Sequence, residues 1–329
     1  MRQSMKLLGR IIAMLVIFSL AGISHAINID NNDNLSVSPI SSPSSGSDFD
    51  KLRVKFLGFL KSIKTDMPFT TTQYVKEWVL KDWETQQDDY QIINVSSKNT
   101  VNKGHIPNTV NIPLEDLLTD INLKKLDSMM TNIVYSDSFH TSVTASVIFN
   151  LLEYKSYKLS FNANEWSLPN NSDKGFEQTF SYSIYGGKDT SNITYDLPET
   201  ANTNIALDKL LISRYISKVS NKKTVFSSAQ VKKIIDNWEW SQEKYQIISV
   251  LNEKHFEMGH LQGAINIPIF NLMNEDQLKR IDPNKTTLIY CKSGDLAQVS
   301  ATLLNMLGYN AVNIRYGMTG WENKLISEK

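Results

Sequence analysis

TTLIYCKSGDLAQVSATLL, residues 286–304, is the stretch that decides the fold, and it contains the only cysteine of the chain. Residues 288–290 predict a short buried strand, and apolar residues recur at helical spacing from Ala297 to Leu304. Cys291 therefore starts the loop between a parallel strand and a helix. In doubly wound sheets ligands bind beyond the carboxyl ends of the strands, beside the unpaired N–H groups of helix N-termini.

This loop has the features of an anion cradle around a sulfur atom. The positive end of the helix dipole favours a thiolate, so we expect the thiol of Cys291 to ionise more readily than a free cysteine. Gly294 allows the backbone to curl so that several N–H groups point at the sulfur. Asp295 adds a negative charge close by, which we expect to raise the thiol pKa and oppose the dipole.

Three segments of the chain resemble the rhodanese family, which comprises thiosulfate and 3-mercaptopyruvate sulfurtransferases. Residues 291–296, Cys-Lys-Ser-Gly-Asp-Leu, are similar to the family's active loop of a cysteine, a basic residue, a variable residue and a glycine. GHLQGAINIP (259–268) and YGMTGW (316–321) resemble the motifs that flank that loop, and they occur in the family's order. The resemblance implies that Cys291 is the catalytic residue.

The resemblance also implies a double displacement with no cofactor. The thiolate attacks the outer sulfur of a donor anion such as thiosulfate or polysulfide and becomes a persulfide. It then gives this sulfur to cyanide, a thiol or a protein acceptor. The loop N–H groups from Ser293 to Ala297 are expected to stabilise thiolate and persulfide. Lys292 and Arg315 are candidate contacts of the donor. The alternative for Lys292 is a solvated surface side chain, and the alternative for Arg315 is a salt bridge.

Two departures from the family pattern bear on activity. Leu296 stands where the family commonly has Arg or Thr, and Ser249-Val250-Leu251 replaces its Asp-Val-Arg. These departures favour a sulfurtransferase with weakened or altered activity, whose donor is polysulfide or a protein persulfide rather than thiosulfate. The alternative is a non-catalytic protein-binding or redox-sensing module.

The chain is a tandem duplication. Tyr90-Gln91-Ile92-Ile93 recurs as Tyr245-Gln246-Ile247-Ile248 and Trp166 as Trp321, both 155 residues further on. We place a first copy at residues 51–168, a linker or insertion at 169–203 and a second copy at 204–329. Alternating short strands and helices predict the α/β class, with two tandem rhodanese-like domains that each have a parallel sheet flanked by helices on both faces.

The first copy lacks the nucleophile. The 155-residue offset places Ser136 opposite Cys291 and Phe139 opposite Gly294. A hydroxyl cannot carry a persulfide, and Phe139 disfavours the positive φ that the loop needs. We therefore interpret the first copy as catalytically silent. A hydrolytic pair of Ser136 and His140 has neither an oriented carboxylate nor an oxyanion motif in its favour.

The segments outside the two copies have distinct compositions. Residues 1–26 combine basic residues, an apolar run and a small-x-small site, which is typical of a cleavable signal peptide. We therefore expect export, to the periplasm or as a secreted protein, and no stable membrane span after cleavage. Residues 27–50 are polar and predict a flexible linker. Residues 176–185 predict a hairpin, with Gly186-Gly187 as its turn.

Composition excludes several other classes of function. The chain has 34 basic and 34 acidic residues, so its formal net charge gives no basis for nucleic-acid binding. Five histidines and one cysteine show no metal-ligand spacing. His105 and His260 recur in both copies, so a hydrogen-bonding role is favoured over a catalytic one.

Overall fold

The computed structural model describes residues 47–101, 104–160, 180–199, 202–219 and 224–326. The predicted signal peptide, Trp166 and most of the predicted flexible linker (27–46) lie outside these ranges. Within them, no helix is long and apolar enough to cross a membrane.

The first copy contains a sheet of five parallel strands in the spatial order β1-β5-β4-β2-β3. Its strands are β1 (Phe69–Thr71), β2 (Tyr90–Asn94), β3 (Thr109–Asn111), β4 (Thr131–Tyr135) and β5 (Ser156–Ser160). Its helices are α1 (Asp48–Thr65), α2 (Thr72–Tyr74), a π-helical segment (Val75–Leu80), α3 (Trp83–Gln86), α4 (Lys98–Val101), a 3₁₀ turn (Leu114–Asp116), α5 (Asp120–Leu123) and α6 (Phe139–Leu151).

The second copy repeats this topology, with the strand order β7-β11-β10-β8-β9. The strands after the first copy are β6 (Phe180–Tyr185), β7 (Val225–Phe226), β8 (Tyr245–Ser249), β9 (Ala264–Asn266), β10 (Thr286–Tyr290), β11 (Asn310–Ile314) and β12 (Trp321–Ile326). The helices are α7 (Leu207–Lys218), α8 (Ser228–Ile235), α9 (Trp238–Ser241), α10 (Glu253–Met258), a 3₁₀ turn (Ile269–Asn271), α11 (Glu275–Leu278), α12 (Asp295–Leu307) and a 3₁₀ turn (Gly317–Gly320). The predicted pair of parallel α/β sheets is confirmed.

Alternation along the strands divides the interior into three cores. Successive residues of a strand point to opposite faces of a sheet. Ile93 and Ile289 accordingly face a core that both copies share, whereas their neighbours Ile92 and Leu288 each face a core of their own copy. The shared core includes α1, α6, α7 and α12. The two copies therefore fold against one continuous apolar interior.

Helices α6 and α12 contact each other at the centre of this shared core. The Gln298 side-chain amide donates to Thr144 Oγ1 at 3.0 Å, and the hydroxyls of Thr144 and Thr302 are 3.4 Å apart. Each helix follows the central strand of its sheet, so this contact brings the two strand-to-helix loops close to elements of the opposite copy.

The predicted flexible linker at residues 27–50 is wrong at its C-terminal end, because α1 begins at Asp48. The Ser47 side chain caps the helix by accepting from the Asp50 N–H at 3.3 Å. Asp48 is buried and accepts from the Thr203 hydroxyl at 2.7 Å. A capped first turn with a buried acceptor makes these residues part of the fold.

The predicted hairpin at residues 176–185 is also wrong in its pairing. Residues 180–185 do form a strand, but β6 pairs in parallel with β12 at the end of the second copy. Beyond it, the Gly187 N–H donates to the Glu257 carbonyl at 3.0 Å. The backbone bonds that a hairpin partner would make are thus made by the second copy.

His140 lies at the start of α6, between the two copies. Arg315 Nε donates to its Nε2 at 3.3 Å, and the Asn313 side-chain amide is 3.4 Å from its Nδ1. Burial, together with the positive charges of Arg315 and Lys158, lowers the pKa of His140 to about 3. The folded protein therefore holds this imidazole neutral.

We predict that His140 makes the free energy of unfolding depend on pH between about 6.5 and 3. The unfolded chain binds the histidine proton below pH 6.5 and the folded chain only near pH 3, so stability falls as the pH falls through this window. The contribution is on the order of a few kcal/mol. The free energy of unfolding, measured with urea at a series of pH values, should fall less steeply with decreasing pH in His140→Asn than in the wild type. His105→Asn, at an exposed position, is the matched control, and parallel curves for wild type and His140→Asn would contradict the prediction.

Candidate active site

Cys291 follows the central strand β10 and is buried, with 2% of its surface exposed. Gly294 adopts φ of 97°, a left-handed conformation that few residues other than glycine reach without strain. This curl directs the Gly294 N–H to the sulfur, which it meets at 3.1 Å. The backbone N–H groups of Ser293 and Ala297 also act on the thiol, since they lower its pKa. The loop therefore directs one hydrogen-bonding N–H group, that of Gly294, at the sulfur and places two further N–H groups near it.

The YGMTGW segment (316–321) forms backbone hydrogen bonds to the carbonyl groups of the Cys291 loop. The Met318 N–H donates to the Cys291 carbonyl at 2.9 Å, and the Thr319 N–H donates to the Lys292 carbonyl at 3.0 Å. Gly317 has φ of 50°, and a Cβ there would collide with the Cys291 carbonyl. The turn thus binds the carbonyl groups of the loop, and N–H groups of the loop face the sulfur.

The expectation that the thiol of Cys291 ionises more readily than a free cysteine is wrong. Burial raises the pKa of this thiol, because a thiolate without water is costly. The N–H groups of Ala297, Gly294 and Ser293 act in the opposite direction, whereas the Asp295 carboxylate adds to the rise, as expected from the sequence. Desolvation outweighs the cradle, so the resting side chain is a thiol.

Asp295 is paired with a lysine of the first copy. Lys158 Nζ lies 3.3 Å from Asp295 Oδ1, and the two side chains are 6% and 19% exposed. The same ammonium lies 4.4 Å from the centroid of the Phe139 ring. On the other side, the Ser293 hydroxyl donates to Asp295 Oδ2 at 2.8 Å. The first copy thus supplies the cation that offsets the charge beside the thiol.

Sequence reasoning missed Lys158 altogether. It lies within β5, and its partner is 137 residues further along the chain. The one available signal is a lysine between the buried or half-buried residues of a core strand, where a charge requires a partner. That signal identifies the lysine but not the carboxylate.

The remaining candidates have different surroundings. Lys292 is exposed beside the loop. Leu296 is 6% exposed and packs in the shared core. Arg315 extends to His140 of the first copy and lies over the Tyr316 ring at 5.7 Å. A contact between Arg315 and a donor bound at Cys291 stays a prediction.

The loop of the first copy is held by its own side chains. Ser136 Oγ lies 3.1 Å from Ser96 Oγ and accepts from the Ser138 N–H at 3.2 Å. It also donates to Asp137 Oδ1 at 3.1 Å. His140 bonds instead to Arg315 and Asn313, so the hydrolytic pair of Ser136 and His140 is not formed.

Among the residues that the structure describes, no group of three or more His, Cys, Asp or Glu side chains is placed to hold a metal ion. His260 is held by its own copy, since its Nδ1 lies 3.0 Å from the Phe256 carbonyl and its ring stacks on that of Phe256 at 3.9 Å. Trp321 is buried in the separate core of the second copy.

Comparison with known proteins identifies the family. The profile of the rhodanese-like domain matches residues 227–324, which include Cys291 and the turn behind it. YqhL, an uncharacterized protein of Bacillus subtilis, is 31% identical over 87 residues, which are 26% of this chain and 68% of that protein. The chain belongs to the rhodanese family.

Solved structures of other rhodaneses have been compared with this one. A rhodanese-related protein from Thermoplasma volcanium is 23% identical, with 30% of this chain and 88% of that chain covered and a TM-score of 0.26. The thiosulfate sulfurtransferase from Pseudomonas aeruginosa is 13% identical, with 86% of this chain and 49% of that chain covered and a TM-score of 0.29. This chain therefore spans about half of the Pseudomonas protein.

The two copies of this rhodanese share one topology but differ in their loops. The profile match falls on the second copy, and the identical strand order extends the rhodanese-like fold to the first. Only the second copy combines the cysteine, the left-handed glycine and the cradle of N–H groups. Any persulfide chemistry is thus confined to Cys291.

We predict that Gly317→Ala disturbs the Cys291 loop. A Cβ would collide with the Cys291 carbonyl, so we expect a loss of about 1–3 kcal/mol of unfolding free energy by urea titration. Gly58→Ala is the matched control, because that glycine lies in α1 with nothing within 4 Å of the added atom. There alanine should be neutral or stabilise by up to about 1 kcal/mol. Equal effects of the two substitutions would contradict the prediction.

A second prediction concerns the charges beside the thiol. Asp295→Asn removes a carboxylate that raises the pKa of Cys291, so the thiol pKa should fall. Lys158→Met leaves that carboxylate without its cation, so the thiol pKa should rise above that of the wild type. The thiol pKa of the wild type and of both variants is measured from the pH dependence of alkylation by iodoacetamide. One common pKa in the three would show that this pair does not control the thiol.

Proposed function

We propose that this rhodanese is a sulfurtransferase in which Cys291 carries sulfane sulfur as a persulfide and the first copy is catalytically silent. The observation that carries the proposal is the hydrogen bond from the Gly294 N–H to Cys291 Sγ at 3.1 Å in a loop curled by a left-handed glycine, with the N–H groups of Ser293 and Ala297 also lowering the thiol pKa. Such donors stabilise negative charge on sulfur, which develops both in the thiolate and on the outer atom of a persulfide.

The proposed reaction has two displacements. The Cys291 thiolate attacks the outer sulfur of the donor; a new S–S bond forms while the bond to the donor's remainder breaks, which releases sulfite when the donor is thiosulfate. A thiophilic acceptor such as cyanide then attacks the outer persulfide sulfur. Its bond to that sulfur forms, the persulfide bond breaks, and the Cys291 thiolate is regenerated.

The structure imposes two requirements on this reaction. The resting thiol must lose its proton although burial raises its pKa. A donor reaches the sulfur only when the side chains around it move, since 2% of Cys291 is exposed. The first requirement supports a donor that gives up its sulfur more readily than thiosulfate, such as polysulfide or a protein persulfide. Export of the chain is part of the proposal and rests on residues 1–26 alone.

The buried, protonated thiol favours a second candidate. A cysteine with a raised pKa and little exposure is a poor resting nucleophile. The paired copies would then be a protein-binding module, with Cys291 as a redox-sensing or idle residue.

Intact-mass spectrometry separates these functions. After exposure to thiosulfate, polysulfide or 3-mercaptopyruvate, the wild type should gain one sulfur atom that cyanide removes, and Cys291→Ser should gain none. The matched control is Ser136→Cys in the Cys291→Ser background, which places a thiol at the equally buried position of the first copy. We expect no stable persulfide there, because Phe139 replaces the loop glycine. The absence of any sulfur gain on the wild type with all three donors would exclude the carrier function and leave the binding module.

A further inference from the structure

A cavity of about 400 Å³ lies between the two copies, beside the loop that lacks the cysteine. The first copy contributes Ser138, His140 and Thr141, and the second contributes Thr224, Ser227 and Arg315. This volume is within the range of small-molecule sites in proteins. The hydroxyls of Ser138 and Thr141 make no hydrogen bond to the described residues, so both are available to a ligand.

The lining of this cavity is positively charged. Arg315 contributes a guanidinium, and none of the described residues that line the cavity is acidic. His140 adds no charge near neutral pH, because burial and the nearby cations lower its pKa to about 3. A negatively charged ligand is therefore favoured.

The equivalent positions of the Cys291 loop carry different side chains. The 155-residue offset places Asp295 opposite His140 and Ser160 opposite Arg315. The Cys291 loop thus has a carboxylate where the loop of the first copy has a neutral imidazole, and it has no arginine at the position of Arg315. The arginine and the absence of an acidic side chain in the lining are therefore specific to the cavity beside the first copy's loop.

We propose that this cavity binds a small molecule bearing an oxyanion, with Arg315 as its cationic contact and the Ser138 and Thr141 hydroxyls as hydrogen-bond donors. The class comprises inorganic sulfur and phosphorus oxyanions and short carboxylates, all of which suit a guanidinium beside hydroxyl donors. Binding here requires no chemistry at Cys291 and does not depend on the proposed sulfur transfer.

Isothermal titration calorimetry on the Cys291→Ser protein tests the proposal. The probes are thiosulfate, inorganic phosphate and pyruvate, titrated separately to distinguish sulfur, phosphorus and carboxylate oxyanions. At least one should bind. Arg315→Gln in this background should weaken that binding by tenfold or more, and Thr141→Val by a smaller factor, as expected for loss of a charged and a neutral donor to an anion.

The matched control is Lys279→Gln in the same background, which removes an exposed cation outside the cavity lining and should leave the affinity unchanged. Lys292→Gln reports instead on any binding of a probe at the Cys291 loop. Thermal unfolding checks that each variant is folded; if Arg315→Gln is not, Thr141→Val decides alone. The proposal is overturned if no probe binds, if Lys292→Gln rather than Arg315→Gln abolishes binding, or if neither cavity variant weakens it. None of these results affects the persulfide test on the wild type.

Discussion

The contact between α6 and α12 is the constraint on which the rest of the structure depends. Each helix starts at the loop after the central strand of its sheet, so a contact between the two helices fixes which elements surround both loops. Across this contact, Lys158 of β5 reaches Asp295 at the start of α12, and Arg315, directly after β11, reaches His140 at the start of α6. Neither copy alone contains a complete environment for its loop.

This contact is unusual in carrying many buried polar side chains, which stay satisfied because they bond locally. On α12, the Ser300 hydroxyl donates to the Leu296 carbonyl at 2.8 Å and the Thr302 hydroxyl to the Gln298 carbonyl at 2.9 Å. The Asn305 amide donates to the Ala311 carbonyl at 2.8 Å and so ties the helix to β11. Small residues with local partners allow two helices to approach without leaving unpaired polar groups.

The electrostatics of the two loops follow from this arrangement. At Cys291 the backbone offers N–H groups, while burial and a carboxylate oppose the thiolate, and a lysine from the other copy moderates that carboxylate. At Ser136 the loop glycine is absent, the Ser138 N–H donates to the hydroxyl, and the adjoining cavity is lined by the Arg315 guanidinium. One fold thus surrounds its two loops with different charges.

Much of the active loop was predictable because its determinants are local. The strand, the turn at Gly294 and the helix follow from hydrophobic periodicity and the conformational freedom of one glycine, and the duplication follows from a constant offset between identical residues. The Asp295 effect on the thiol was predictable for the same reason, since the two residues are four positions apart. The sequence by itself therefore determined the fold of each copy, the absence of a cysteine from the first loop and the position of Cys291 in the second.

Only the tertiary structure determined which side chains of the opposite copy lie beside each loop. The pairing of Lys158 with Asp295 and of Arg315 with His140 joins residues more than a hundred positions apart, and no local pattern encodes such partners. The sign of the Cys291 pKa shift also required the structure, because desolvation depends on how completely the other chain segments cover the sulfur. Strand β6 likewise took β12 as its partner, because an open sheet edge is satisfied by whichever strand the fold brings to it.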